Sequence, residues 1–171
     1  MNFEKSDKIL EVKLHRNKPF FLYIDEYSYE KNRIEPVELS VNESRVDKIR
    51  IVDEKIKKYV ADRIEYDGDL IANEDGLVDF IELLDSFLRI LLIADRKYRD
   101  IIREDGLLGG YSAEIFFREE RKGKVKYLKI TTLQSRKEVF LNTYDCKVIV
   151  SKFRKAYSNC IMREFLDATG W

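Results

Sequence analysis

Apolar and polar residues alternate along two separate stretches of this chain, and that period of two is typical of half-buried β-strands. The first stretch contains three such runs, over residues 8–16, 19–28 and 37–41. The polar segment 30–33 predicts a turn between the second and third runs. Pro36 cannot donate a ladder hydrogen bond, so the third strand is expected to begin there or to lie at an edge. Residues 8–41 therefore predict an antiparallel meander.

The second stretch repeats the pattern near the C-terminus. Residues 111–120 and 124–133 predict a hairpin around the turn RKGK, and QSRKEVFLN adds a third strand. Asn142 or Thr143 is expected to cap a final helix, because both residue types accept hydrogen bonds from the first helical turn.

Two helical patterns lie between these stretches. Apolar residues recur at intervals of three and four over residues 44–64, with Ser44 as the expected cap, although a short strand RIVD before a shorter helix also fits. Residues 67–76 have the composition of a loop. Residues 77–104 carry the strongest helical stripe, which predicts a helix of roughly 42 Å that is apolar on most sides.

These patterns together predict an α+β fold. The expected arrangement is antiparallel sheets with a β-β-β-α order that occurs twice around the long central apolar helix. A length of 171 residues suits a single compact domain over residues 1–171. The glycines at 109 and 110 offer a possible subdivision into residues 1–108 and 109–171.

Charge divides the chain in the same place. Residues 1–109 hold 19 Lys and Arg against 25 Asp and Glu, a formal charge of −6, whereas residues 110–171 hold 13 against 7, or +6. Such segregation favours a polyanion-binding surface on the basic part. Attraction between the two parts of one fold, or an acidic protein partner, is the alternative interpretation.

Residues that could carry catalysis are sparse. His15 is the single histidine, which excludes multi-histidine metal motifs and weakens a Ser–His or Cys–His nucleophile. Cys146 and Cys160 are expected on one helix face about 21 Å apart, too far for a disulfide. Asp67 and its acidic neighbours do not have the spacing of a calcium loop. The sequence therefore predicts no enzyme, no catalytic residues, no metal site and no cofactor.

Two surfaces are candidates for binding. The aromatic stripe in residues 21–29, with Tyr23 and Tyr27, faces away from the core side of its strand and would either be covered by the long helix or stack bases. The second surface is the basic hairpin, where Tyr127 and Lys129 share a face because they are two residues apart. The complete set of candidate nucleic-acid-binding residues is Phe116, Arg118, Lys122, Lys124, Lys126, Tyr127, Lys129, Arg136, Tyr23 and Tyr27.

Strands followed by a helix, together with a basic sheet face, resemble the arrangement in whirly-like single-stranded DNA-binding domains. The resemblance covers residues 111–158 and is one of topology. It implies that an antiparallel sheet face would bind an unpaired strand.

Two hypotheses from different classes follow. The first is a non-catalytic nucleic-acid-binding protein, for single strands, that uses the basic and aromatic sheet face. The second is a protein-binding module, such as a cytoplasmic inhibitor, immunity factor or phage accessory protein, that acts through a Tyr-rich surface or as a homodimer through residues 77–104. No run of about 18 apolar residues predicts a membrane span, and the N-terminal segment MNFEKSDKIL has no apolar signal core, so we expect a cytoplasmic protein.

Overall fold

The computed structural model describes residues 3–41, 44–89, 97–104 and 107–161, with side chains within residues 4–32, 51–89 and 109–161. Four strands and a helix are followed by four more strands and a second helix. In chain order the elements are β1 (Phe3–Val12), β2 (Phe20–Val41), β3 (Ser44–Tyr66), β4 (Asp69–Asn73), α1 (Leu77–Arg89), β5 (Lys97–Glu104), β6 (Leu107–Glu120), β7 (Gly123–Thr132), β8 (Glu138–Leu141) and α2 (Thr143–Tyr157).

The strands form two antiparallel sheets whose neighbours follow chain order, β1-β2-β3-β4 and β5-β6-β7-β8. The mixed α+β class is therefore as predicted. The finer prediction is wrong in the part of the chain that the structure describes, because four strands rather than three precede each helix and residues 97–104 of the predicted long helix form a strand. In the described part of the chain, no helix has the length and apolar character that a membrane crossing needs.

The helix predicted over residues 44–64 is a strand. β3 pairs with β2 along its whole length, from Val41↔Ser44 to Phe20↔Tyr66. A bulge at Tyr23/Ile24 adds one residue to β3, and a bulge breaks the strict alternation that would identify a strand. Val and Ile dominate the apolar positions of this segment, and such β-branched residues favour strands over helices.

The turn predicted at residues 30–33 is also wrong, since β2 continues through it and through Pro36. Beyond Tyr29, β2 leaves its pairing with β1, and residues 30–41 pair with residues 44–55 of β3. We call this paired segment the β-arm; it is about 40 Å long at roughly 3.3 Å per residue. Among the described residues, no third strand adjoins it.

The long helix predicted over residues 77–104 ends at Arg89, and residues 97–104 form β5. The stripe of α1 is buried in the main core, through Leu77, Phe80, Ile81, Leu84 and Phe87. The core of this fold therefore uses the apolar face that suggested a homodimer seam.

The segment predicted as a loop at residues 67–76 contains β4, which pairs with β3 through Arg63↔Asn73 to Tyr66↔Asp69. β4 also packs near β6, where the side chain of Leu70 lies so close to Gly109 that a Cβ atom there would be 2.9 Å away. Gly109 thus permits the close approach of the two sheets.

The C-terminal part follows the sequence pattern more closely. The hairpin of β6 and β7, the third strand β8 and the helix α2 are all present. Asn142 caps α2 in a capping box, in which its side chain accepts from the Asp145 backbone N–H and the Asp145 carboxylate accepts in return. Both cysteines are free, but α2 ends at Tyr157, so Cys160 does not share the helix with Cys146.

Candidate nucleic-acid interface

One face of the second sheet gathers three aromatic and two cationic side chains. The register places Phe116 opposite Tyr127 and Lys129 opposite Phe140, and Arg118 is two residues beyond Phe116 on β6. Because side chains alternate across a strand, these five lie on the same face. Their neighbours Ile115, Leu128, Ile130, Val139 and Leu141 occupy the opposite face and are buried in the core.

We refer to Phe116, Arg118, Tyr127, Lys129 and Phe140 as the aromatic–cationic face. The rings of Phe116 and Phe140 meet edge to face, with centroids 5.8 Å apart. The Arg118 guanidinium lies 5.5 Å from the Tyr127 ring centroid and 5.8 Å from that of Phe140. Lys129 Nζ is 5.9 Å from the Phe140 centroid. These are cation–π distances, so the cations are held over the rings.

The face is open to solvent. The Phe116 side chain is 42% exposed, which is unusual for a large apolar group. Arg118 is exposed, and Tyr127, Lys129 and Phe140 are half-buried. An aromatic surface of this kind can stack planar ligands without any rearrangement of the core.

Three carboxylates lie on or beside the face, namely Glu120, Glu138 and Glu114, which is opposite Lys129 in the register. The Tyr127 hydroxyl donates a 2.6 Å hydrogen bond to Glu120, and this bond raises the pKa of Tyr127 above its ordinary value, with burial as a smaller cause. Lys129 Nζ lies 3.2 Å from the Glu138 carboxylate. The bond to Glu120 fixes the ring of Tyr127 in place, whereas the Lys129 pair lowers the positive charge of the face.

Additional positive charge lies at the β6–β7 turn. Arg121, Lys122 and Lys124 are exposed, and none of them forms an ion pair with a described carboxylate. Arg121 and Lys122 lie in the turn just beyond Glu120, so they extend the positive charge past one end of the aromatic–cationic face. Lys124 is opposite Glu119 and lies on the other face of the sheet.

Lys126 lies on the other side of the sheet. Its Nζ donates a 2.8 Å hydrogen bond to the carbonyl of Phe87 in the last turn of α1 and lies 4.5 Å from the centroid of that ring. Helix C-termini leave carbonyls without partners and favour cations. The structure therefore places this predicted phosphate-binding residue in a helix-capping position.

Arg136 is at the far end of β7 from the basic turn. The strand spans Gly123–Thr132, about 30 Å at roughly 3.3 Å per residue. Arg136 lies in the β7–β8 turn with a φ of 59° and is exposed. The structure does not bring it together with Lys122 and Lys124.

Tyr23 and Tyr27 belong to the first sheet. Tyr27 is 7% exposed and packs with Val60 and Ile161. Tyr23 is half-buried under the Arg63 guanidinium, 3.9 Å from the ring centroid, and burial raises the pKa of its hydroxyl. Neither ring joins the aromatic–cationic face, and the described residues that pack with Tyr27, namely Val60 of β3 and Ile161 beyond the end of α2, lie outside the two helices.

The β1–β2 loop adds groups that sequence reasoning missed. Asn17 Nδ2 donates a 3.0 Å hydrogen bond to the Phe140 carbonyl, which brings His15 and Arg16 beside Tyr127 and Phe140. On β8, Phe140 lies between two core residues, Val139 and Leu141. This alternation in the sequence could have identified Phe140 as a residue of the face opposite the core. Nothing in the sequence indicates the contact of Asn17, since its partner is 123 residues away.

Within the described residues, no group of three or more His, Cys, Asp or Glu side chains is placed to hold a metal ion. Comparison of the chain with models of protein families, with curated proteins and with solved structures found no match.

Proposed function

We propose that this protein binds single-stranded nucleic acid, without catalysis, through the aromatic–cationic face and the basic turn beside it. The observation that carries the proposal is the solvent-facing set of Phe116, Tyr127 and Phe140 with Arg118 and Lys129 held over the rings. Unpaired bases expose their π-faces, and each base stacked on an aromatic ring contributes about 1–3 kcal/mol. A duplex offers no such faces to a flat sheet.

The charges support binding along a backbone. Arg121 and Lys122, in the turn at the end of the face, are exposed and have no described ion-pair partner, so they are available to phosphates. Each neutralised phosphate of a single strand releases counterions and adds roughly 0.7 to the slope of log affinity against log salt. Contacts from three or four cations, with Arg118 and Lys129 counted beside Arg121 and Lys122, therefore predict a slope of about −2 to −3.

Topology supports the same proposal. The strand-then-helix order over residues 111–158, which resembles whirly-like single-stranded DNA-binding domains, corresponds to most of β6 together with β7, β8 and α2.

The experiment is fluorescence anisotropy with a labelled short oligodeoxythymidine at low and moderate salt. Tyr127→Ala is expected to weaken binding about five-fold or more, the effect of one lost stacking contact. A double change of Arg121 and Lys122 to Ala is expected to reduce the salt slope by about 1.4. Lys152→Ala, an exposed α2 lysine without an ion pair in the described residues, is the matched control. Absence of binding at micromolar protein in low salt rejects the proposal.

A protein-binding module is the second candidate, and the β-arm favours it. A two-stranded ribbon is marginally stable by itself in water, and Ile51 on this arm is 69% exposed. A partner that covers the arm would bury this side chain. Capture of a discrete protein partner that survives nuclease treatment and is lost with Ile51→Glu, in a protein that binds no oligonucleotide, would favour this candidate.

A further inference from the structure

A groove of about 490 Å³ lies between the β1–β2 loop and the aromatic–cationic face. Its lining combines the rings of Tyr127 and Phe140 with two cations, Arg16 and Arg118, and two carboxylates, Glu120 and Asp145. A volume of this size suits one small ligand. The groove therefore offers stacking surfaces, hydrogen-bond donors and hydrogen-bond acceptors to one planar polar molecule.

Asp145 is the most informative residue of this lining because it is only 6% exposed. One carboxylate oxygen, Oδ2, accepts a 3.3 Å hydrogen bond from the Asn142 backbone N–H. Among the described residues, no donor reaches the other oxygen, Oδ1. Asp145 lines the groove, so a ligand N–H group there can donate to this oxygen.

The two arginines of the groove supply hydrogen-bond donors, which complement the acceptor oxygens of the carboxylates. Arg118 is exposed and makes no ion pair with a described carboxylate, and Arg16 lines the same groove. A guanidinium presents parallel N–H donors, which fit two adjacent acceptors on one ligand edge.

Guanine can pair with both the carboxylates and the arginines of the groove. Its N1–H and N2 amine are adjacent donors for a carboxylate, and its O6 and N7 are adjacent acceptors for an arginine. Thymine and uracil have no exocyclic amine, and cytosine and adenine lack the O6/N7 acceptor pair. We infer that this groove is a binding site for one guanine base of the bound strand. The guanine ring lies against Tyr127 or Phe140. Its donor edge contacts the carboxylate of Asp145 or Glu120, and its acceptor edge contacts the guanidinium of Arg118 or Arg16. This inference rests on the proposed function and adds a base preference to it.

The test compares a short oligodeoxythymidine with the same strand carrying one central deoxyguanosine, by anisotropy with the whole chain. One bidentate contact predicts about five-fold or greater tightening by the guanosine. Deoxyinosine lacks the N2 amine and 7-deazaguanosine lacks N7, so each is expected to lose part of the gain. Tightening by inosine and 7-deazaguanosine equal to that by guanosine would overturn the assignment of both edges.

Variants assign the preference to the groove. The measured quantity is the ratio of the affinity for the guanosine-containing strand to the affinity for oligodeoxythymidine. This ratio is expected to fall in Asp145→Asn and in Glu120→Gln, and it approaches one in the variant whose lost carboxylate binds the donor edge of guanine. Glu119→Gln removes the same charge one residue from Glu120, on the opposite face of β6, and is expected to retain the ratio. Thermal unfolding of Asp145→Asn verifies that α2 remains capped, and Glu120→Gln tests the groove without touching that cap.

The outcomes separate the two proposals. Binding of oligodeoxythymidine with no gain from guanosine overturns the guanine site and leaves the proposed function in place. A gain that persists in both Asp145→Asn and Glu120→Gln overturns the location. Absence of binding to either strand rejects the proposed function and the guanine site together.

Discussion

The Thr132 hydroxyl donates a 2.6 Å hydrogen bond to the Asp69 carboxylate, which joins the end of β7 in the second sheet to the start of β4 in the first. Both residues are buried, at 0% and 3% exposure. Ser135 adds two donors, its backbone N–H at 3.2 Å and its hydroxyl at 2.8 Å. A carboxylate satisfied by three donors therefore links the β3–β4 turn of the first sheet to the β7–β8 turn of the second.

Replacement of Asp69 by Ala is expected to lower the free energy of unfolding by about 2–3 kcal/mol, because Thr132 and the Ser135 N–H would lose a charged acceptor inside the fold. Urea unfolding measures the change. Glu119→Ala, at an exposed position without an ion pair in the described residues, should alter stability by no more than about 0.5 kcal/mol. A loss equally small for Asp69→Ala would mean that this link does not hold the sheets together.

Asp67 predicts a pH dependence of stability. The Lys18 ammonium at 3.1 Å, and Lys137 at 3.3 Å, hold the pKa of the Asp67 carboxyl below its ordinary value. A pKa that is lower in the folded state gives stability that is present above the unfolded value, about pH 4, and is lost as the pH falls through the folded value. Asp67→Asn should therefore lower Tm near neutral pH and have little effect near pH 2.

Asparagine suits this substitution because Asp67 has a φ of 49°, which asparagine tolerates. Asp75→Asn is the control, since Asp75 is exposed and its carboxylate makes no ion pair in the described residues. Equal Tm losses at both pH values for Asp67→Asn would show that packing, not ionisation, explains the effect.

Lys126 separates a structural role from a binding role. Lys126→Ala removes both the hydrogen bond to the Phe87 carbonyl and the contact with its ring, so the free energy of unfolding should fall by about 1–2 kcal/mol. Lys124→Ala, two residues earlier on the same strand and exposed, should change it by less than about 0.5 kcal/mol. Chemical denaturation distinguishes these values, and the reverse order would contradict the capping position of Lys126.

The predictability of the fold from sequence differs between the two sheets. Residues 111–157 form short strands and a capped helix whose signals are local, such as the Asn142 box, so pattern and structure agree. In β3 the alternation is broken by a bulge whose partner lies on β2, and a helical period fitted the remaining residues. The register with β2, a long-range property, decides the conformation of this segment.

The prediction of a long helix over residues 77–104 is wrong for a related reason. Leu88 and Tyr98 continue one helical stripe by spacing alone, although α1 ends at Arg89 and Tyr98 lies in β5 opposite Ala113. Apolar spacing does not report where a chain changes element when no proline or glycine marks the boundary.

The candidate site divides in the same way. Tyr127 and Lys129 could be placed on one face because they share a strand, and the hairpin register adds Phe116 and Arg118. The sequence could not show that Lys126 differs from these residues in role, because its partner, the Phe87 carbonyl, is known only from the packing of α1. Asn17 joins the site through a bond across the fold that no sequence period encodes.

The most direct measurement is an amide chemical-shift map of the ¹⁵N-labelled protein during titration with a short oligodeoxythymidine at low salt. The account predicts the largest shifts at Phe116, Arg118, Tyr127, Lys129 and Phe140, with smaller shifts at the basic turn. Signals of β1 and of the β-arm should remain in place. Shifts confined to the β-arm or the first sheet, or no shifts at all, would contradict an interface on the second sheet.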